Sequence, residues 1–224
     1  FDIMNELTTR KMATPPKGKQ KIAMYAAEVQ AVLKHLETDT SVKGRQNRAI
    51  ALTLFTTGLR AHELCSMNGS SLEHDTDTGT WYLAGIGKGS KPFRQEIQRV
   101  AVDAIFEAFR VQFGRMPRPD EPLFYSSESF KGKEPARLTT AVLWIRLHAI
   151  GEELKAAGTI RRELEFSAHL FRRSYLTLLY KSGMGLKAIQ EVSRHSNMDT
   201  LTRHYVDDRE SPKLYLEKIM GVSA

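Results

Sequence analysis

The feature that most constrains the fold is a change of hydrophobic period between residues 69 and 100. On either side, apolar residues recur at helical spacing. Inside it, SLEHDTDTGTWYLAGIGKGSKPFRQEIQRVAV alternates and is punctuated by glycines. Short strands about Trp81–Ile86 and Phe93–Val100, joined by tight turns, fit that run. One such run among helices predicts a mainly α chain with a small antiparallel β-sheet. The turn carries Lys88 and Lys91 in GKGSK, a tip that suits a groove-probing finger. It is not a phosphate-binding Walker loop, because the GxxxxGK[ST] spacing is absent.

The flanking segments read as helices. Met24–Leu36 places Val29, Val32, Leu33 and Leu36 on one face, and ETDTSVKG follows as a turn. Gln46–Thr57 is strongly apolar and stops at Gly58, the usual glycine after a helix, so Arg60 sits at a junction where LRAHELCSM begins a new helix. Glu63, three residues on, can orient or neutralise that arginine. Val102–Phe113 is amphipathic, and Phe124, Tyr125 and SSESFKGKEPAR read as surface turn and loop. Leu138–Leu154 turns Val142, Leu143, Ile145, Leu147 and Ile150 inward, with Trp144 as core or cleft wall. Leu164–Phe166 reads as an extended pass. About seven helices result, with no internal repeat.

Residues 168–205 carry a polar surplus that packing does not require. Leu170, Leu176, Leu179 and Tyr180 fit one helix face, while His169 and Arg172, three residues apart, share another and can grip an anion. After Gly183 and Gly185 a second short helix holds Lys187, Ile189 and Val192, with His195 just past its end. Tyr205 lies ten residues further on, on a helix opened by Asp199 or Thr200.

Composition narrows the chemistry. The chain has 224 residues, 41% hydrophobic and 26% charged, and carries a net charge of +7. That balance describes a globular protein with a polyanionic partner. The basic excess lies near the start, with nine Lys and Arg against three Asp and Glu between Arg10 and Arg48. Lys17, Lys19, Lys21, Lys43 and Arg45 are therefore the first candidates for phosphate contacts, joined by Lys91 and Arg173. No apolar run approaches the ~20 residues that cross a membrane. One cysteine, Cys65, excludes an internal disulfide framework and cysteine-based metal spacings. A cytoplasmic location is expected. The first residue is Phe1 rather than a start methionine, so a preceding segment is expected too.

Arg60, Lys88, His169, Arg172, His195 and Tyr205 together are rich in cations and poor in carboxylates. Metal-dependent nucleases need acidic ligand pairs, and glycosidases need two opposed carboxylates; neither pattern occurs. The set suits a phosphodiester instead. Arg60 and Arg172 can contact nonbridging oxygens bidentately and stabilise a five-coordinate phosphoryl state. Tyr205 can attack, since a phenol ionises near pH ~10 and so more readily than an aliphatic alcohol. Lys88 is the candidate acid for the leaving oxygen, and His169 or His195 can take the phenolic proton or bind phosphate.

These residues resemble the catalytic domain of the tyrosine recombinase (phage integrase) family. TTGLRAHEL, with Arg60 and Glu63, is similar to the box around that family's first catalytic arginine. GIGKGSK resembles its lysine hairpin, with Lys88 the first choice and Lys91 the reserve. AHLFRRSYLTLL matches the box that supplies His169 and Arg172, and VSRHSNMDTLTRHYV matches His195 and the nucleophile Tyr205. Two departures stand out: Arg194 occupies a position where glycine often precedes the histidine, and His195 to Tyr205 spans ten residues rather than nine.

The resemblance implies site-specific recombination of double-stranded DNA through a 3′-phosphotyrosyl intermediate, in a mobile-element setting. It implies no metal, no ATP and no other cofactor, with homo-oligomerisation to a tetramer in the synapse and a monomer when free. It also implies a division of the chain. Residues 1–21 would be a linker or arm from an N-terminal core-binding domain, and 22–206 the catalytic domain. Residues 207–224 would be a tail whose Leu214–Met220 helix docks on its own domain or on a neighbour. Two other readings share the chemistry or the fold: a DNA-relaxing enzyme of the type IB topoisomerase kind, and a non-catalytic DNA-binding module.

Overall fold

Ser41 opens the helix around which the others pack. Its hydroxyl accepts a hydrogen bond from the Gly44 amide at 3.0 Å, satisfying one of the donors that a helix start leaves unpaired. In the computed structural model, which describes residues 22–126 and 134–194, this is α2, Val42–Thr57. It follows α1 (Ala26–Thr38) and precedes α3 (Ala61–Ser66). Then come β1 (Leu72–Asp75), β2 (Thr80–Ile86), β3 (Pro92–Ile97), α4 (Arg99–Phe113), α5 (Thr140–Ala156), α6 (Ala168–Lys181) and α7 (Leu186–Ser193). The described residues thus form the mainly α fold with one small antiparallel sheet that the sequence predicts.

Ala49 to Leu54 are buried without a break, so α2 is covered on every side. It packs against α4, α6, α1 and β3. A fully buried leucine such as Leu54 or Leu64 contributes roughly 2 kcal/mol by leaving water. The Ser41 cap also explains a difference from expectation: Val42–Gly44, assigned to a turn by sequence, form the first turn of α2.

The sheet has three strands in the order β1-β2-β3, all antiparallel, with Leu83 opposite both Leu72 and Gln95. Sequence reading misses β1, whose residues are mostly polar. The strand is held by contacts that hydrophobic alternation does not reveal. His74 stacks on Trp81 at 4.3 Å, and Glu73 accepts from Arg94 at 2.8 Å. The Asp75 carboxylate closes the following turn by accepting from the Asp77 and Thr78 amides. Leu83 and Ile97 face inward. Strand β3 ends at Ile97 rather than Val100, because Gln98 already begins α4.

Two further corrections concern burial. Phe124 and Tyr125, expected on a surface turn, are 1% and 0% exposed. The Tyr125 hydroxyl donates to the Ala108 carbonyl at 3.1 Å, and its ring meets Phe109 and Phe113 edge-on at 5.3 and 5.0 Å. The second correction is to α5, which is rotated from its expected face. Trp144 and Ile145 are 51% and 58% exposed, whereas Arg146 is buried and donates to Gln46 Oε1 and to the Tyr125 carbonyl. A buried, fully engaged arginine moves the inner face to Leu143, Leu147, Ile150 and Leu154. Residues 164–166 pass through as coil, with Leu164 and Phe166 buried.

Candidate active site

Gly58 ends α2 in the left-handed conformation, with φ 62° and ψ 25°, and its amide donates to the Leu54 carbonyl at 2.9 Å. A Cβ here would lie 2.6 Å from Tyr175 Cδ1, so both the backbone and the space demand glycine. The reversal turns the chain directly into α3, and Arg60 stands at its N-cap. Glu63, on the first turn of α3, reaches back to it. Its Oε2 accepts from the Arg60 amide at 2.8 Å, and its Oε1 accepts from Arg60 Nη1 at 3.0 Å. The carboxylate therefore caps the helix and fixes the guanidinium together.

Arg172 approaches the same junction from α6. It is 4% exposed, and its guanidinium donates to two main-chain carbonyls, those of Gly58 and Ser193. Both carbonyls lie at helix C-termini, where partial negative charge gathers and holds a cation well. Arg172 thereby ties α2 to α7. The α6–α7 hairpin that delivers Ser193 has its own small core, in which Leu176 and Ile189 are fully buried beside Tyr175 and Met184.

A second tie runs through Glu63. Arg194 closes α7 in the left-handed conformation, with φ 55° and ψ 38°, and its Nη2 donates to Glu63 Oε2 at 2.7 Å. The sequence treats Arg194 only as a departure from a common glycine. The structure shows that the left-handed backbone which favours glycine is kept and that the side chain joins the site. Residues 58–63 and 193–194 are thus stitched twice, once by Arg172 and once by Glu63.

Glu63 is completely buried. Burial by itself would raise its pKa, but the Arg60 amide and the guanidiniums of Arg194 and Arg60 outweigh that cost and hold the carboxyl below its ordinary value. Arg194 moves the other way: burial lowers its pKa despite the attraction of Glu63.

The β2–β3 hairpin leans on this carboxylate. Its tip is a 3-10 turn, Lys88–Ser90, closed by the Gly87 amide donating to the Lys91 carbonyl at 2.8 Å. A methyl group on Gly87 would stand 3.1 Å from Glu63 Oε1, so the absent side chain lets the tip settle against α3. Lys88 and Lys91 are exposed there.

Of the residues singled out by sequence, Arg60, Glu63 and Arg172 are joined by the network above, and Lys88 is carried on a hairpin seated against it. His169 lies exposed on the first turn of α6. Lys43 is exposed on the first turn of α2. Arg45 is half-buried; its Nη1 pairs with Glu107 and its Nε donates to the Thr40 carbonyl at 3.0 Å. Arg173 donates to the Ile22 carbonyl at 2.8 Å and helps dock the chain ahead of α1. His195, Tyr205, Lys17, Lys19, Lys21 and the tail 207–224 lie outside the described residues. Among the described residues, no group of three His, Cys, Asp or Glu could hold a metal ion, and no helix is long and apolar enough to cross a membrane.

The described residues thus form a helical domain with a small sheet in which Glu63 braces Arg60 and Arg194, two helix C-termini hold Arg172, and Lys88 stands on an adjacent tip. The family model described as the phage integrase family matches residues 23–211, and the chain belongs to that family. Tyrosine recombinase XerA of Thermococcus kodakarensis is 29% identical over 216 residues, 92% of this chain and 68% of that protein. Tyrosine recombinase XerC of Pseudomonas entomophila is 29% identical over 190 residues, 83% of this chain and 56% of that one. In fold, the chain is similar to the XerH site-specific recombinase solved with its palindromic difH substrate after cleavage. The TM-score is 0.67 at 22% identity, over 91% of this chain and 54% of that one. The chain thus spans roughly half to two thirds of the length of these relatives.

Proposed function

We propose that this chain is the catalytic part of a site-specific DNA recombinase that works in a mobile-element setting. Arg60 and Arg172 hold the nonbridging oxygens of a scissile phosphate in double-stranded DNA. The Tyr205 oxygen attacks phosphorus, forming a 3′-phosphotyrosyl bond as the bond to the 5′-oxygen breaks. The phenolic proton passes to His169 or His195, and the Lys88 ammonium protonates the leaving 5′-oxygen. A 5′-hydroxyl from the partner duplex then attacks phosphorus, and the phenol leaves. Energy stays in the covalent link, so the exchange calls for neither ATP nor a metal.

The observation that carries this reading is the double stitch itself, which sets Arg60 and Arg172 in fixed places beside the Lys88 hairpin. Preset cations are what a phosphoryl transition state rewards, because no reorganisation is needed as charge develops. The same reading takes 22–206 as the catalytic domain, 1–21 as a linker or arm along the duplex and 207–224 as a tail that docks on its own domain or on a neighbouring protomer of a tetramer.

Single-turnover cleavage of a nicked suicide duplex tests it. Arg172→Ala should slow adduct formation by about 100- to 1,000-fold, the effect of removing one preorganised charge-stabilising donor. DNA binding should remain and weaken with added salt. An unchanged cleavage rate would sink the assignment of Arg172. Supercoil relaxation by a monomer without exchange between duplexes would instead identify a relaxing enzyme.

A further inference from the structure

Arg194 takes no part in the chemistry just described, yet it ties three elements together. It closes α7 with its own backbone, pairs with Glu63 of α3 at 2.7 Å and stacks over the Phe93 ring of β3 at 4.1 Å to the centroid. Phe93 stands on the strand that leaves the Lys88 tip, opposite Gly85. A methyl on Gly87, the residue before Lys88, would lie 3.1 Å from Glu63 Oε1 and 3.4 Å from Phe93 Cδ1. The tip therefore rests on the same carboxylate and the same ring that Arg194 grips.

Arg194 Nε and Nη1 are buried and have no hydrogen-bond partner among the described residues. The described contacts of the guanidinium are those made by Nη2 and by its flat face. Those contacts all lead to the hairpin and to Glu63.

We propose that Arg194 is a positioning residue that fastens the β2–β3 hairpin to α3 and so aims Lys88 at the leaving oxygen. A small residue at this position would remove the Phe93 stack and the Glu63 pair together. The inference rests on the reading of Lys88 as the acid.

The test uses two suicide duplexes that differ only in the scissile 5′ atom, oxygen or sulfur. A thiolate leaves without protonation, so it bypasses the acid. With the oxygen substrate, Arg194→Ala should cleave about a hundredfold more slowly, the scale expected when a catalytic group is displaced by roughly 1 Å. With the sulfur substrate its rate should return close to that of the unaltered chain, as should that of Lys88→Ala. Phe93→Leu, which removes the stack but leaves the Arg194–Glu63 pair, should show the same pattern in a weaker form and guards against a folding defect in Arg194→Ala. Hydrogen exchange at the Gly87 amide should quicken in both hairpin variants. If Lys88→Ala is rescued by sulfur and Arg194→Ala is not, the positioning role is wrong. If Lys88→Ala is itself not rescued, the assignment of the acid fails first.

Discussion

Glu63→Gln tests the architecture of the site more severely than any other single change. The carboxylate is fully buried and takes three donors: the Arg60 amide at 2.8 Å, Arg60 Nη1 at 3.0 Å and Arg194 Nη2 at 2.7 Å. Glutamine keeps one acceptor oxygen and turns an amide donor towards the remaining donors. It also removes the negative charge that faces two guanidiniums. Breaking a buried pair typically costs about 3–5 kcal/mol. Both arginine side chains keep 20% exposure and some hydration, so the lower end, about 3 kcal/mol, is appropriate. With a urea slope of about 2 kcal/mol per molar, the midpoint should fall by about 1.5 M at neutral pH. The pH dependence supplies a second check. The folded chain holds this carboxyl below the ordinary value of 4.5, so the unfolded chain binds the proton more readily. Its contribution is therefore complete above pH 4.5 and is lost as pH falls through the lower folded value. The stability gap between the parent and Glu63→Gln should be flat from neutral pH down to about pH 4.5 and close as pH falls further through the folded value. A midpoint shift under about 0.3 M, less than 1 kcal/mol on the same slope, would refute the hub. So would a gap that widens in acid.

Other changes probe separate links. Gly58→Ala combines a left-handed penalty of about 1–2 kcal/mol with a 2.6 Å approach to Tyr175, and should lower the urea midpoint and slow cleavage together, because the Gly58 carbonyl holds Arg172. Trp144→Ala should cost less than about 1 kcal/mol in chemical unfolding, since the ring is half exposed and mainly stacks on His148 at 5.0 Å; a loss of several kcal/mol would restore it to the core. Burial pushes the Cys65 thiol up to about 11, so a thiol reagent at neutral pH should label it slowly in the folded chain and fully in urea.

Much of this was legible in the residues themselves. Helical spacing located the helices to within a few positions, the glycine-punctuated run located the hairpin, and Gly58 marked the turn that presents Arg60. What escaped was decided by polar partners far away in sequence. Strand β1 is held by a stack and an ion pair instead of apolar alternation. The inner face of α5 follows Arg146, whose partners Gln46 and Tyr125 lie 100 and 21 residues away. Tyr125 looked like a loop residue because nothing nearby announces the Ala108 carbonyl that satisfies it. Arg194 is the clearest case in the site. An arginine after a helix is ordinary in sequence, and only the left-handed turn shows that it reaches back across 131 residues to Glu63. Its position where glycine is common was the one visible signal.

The central claim is that Tyr205 carries the covalent intermediate, and peptide mapping of the trapped adduct tests it most directly. After reaction with a nicked duplex labelled on the strand that ends in the 3′-phosphate, digestion should yield a single labelled peptide modified at Tyr205, and Tyr205→Phe should bind the duplex and yield none. Label on any other residue, or attachment through a 5′-phosphate, would contradict the account.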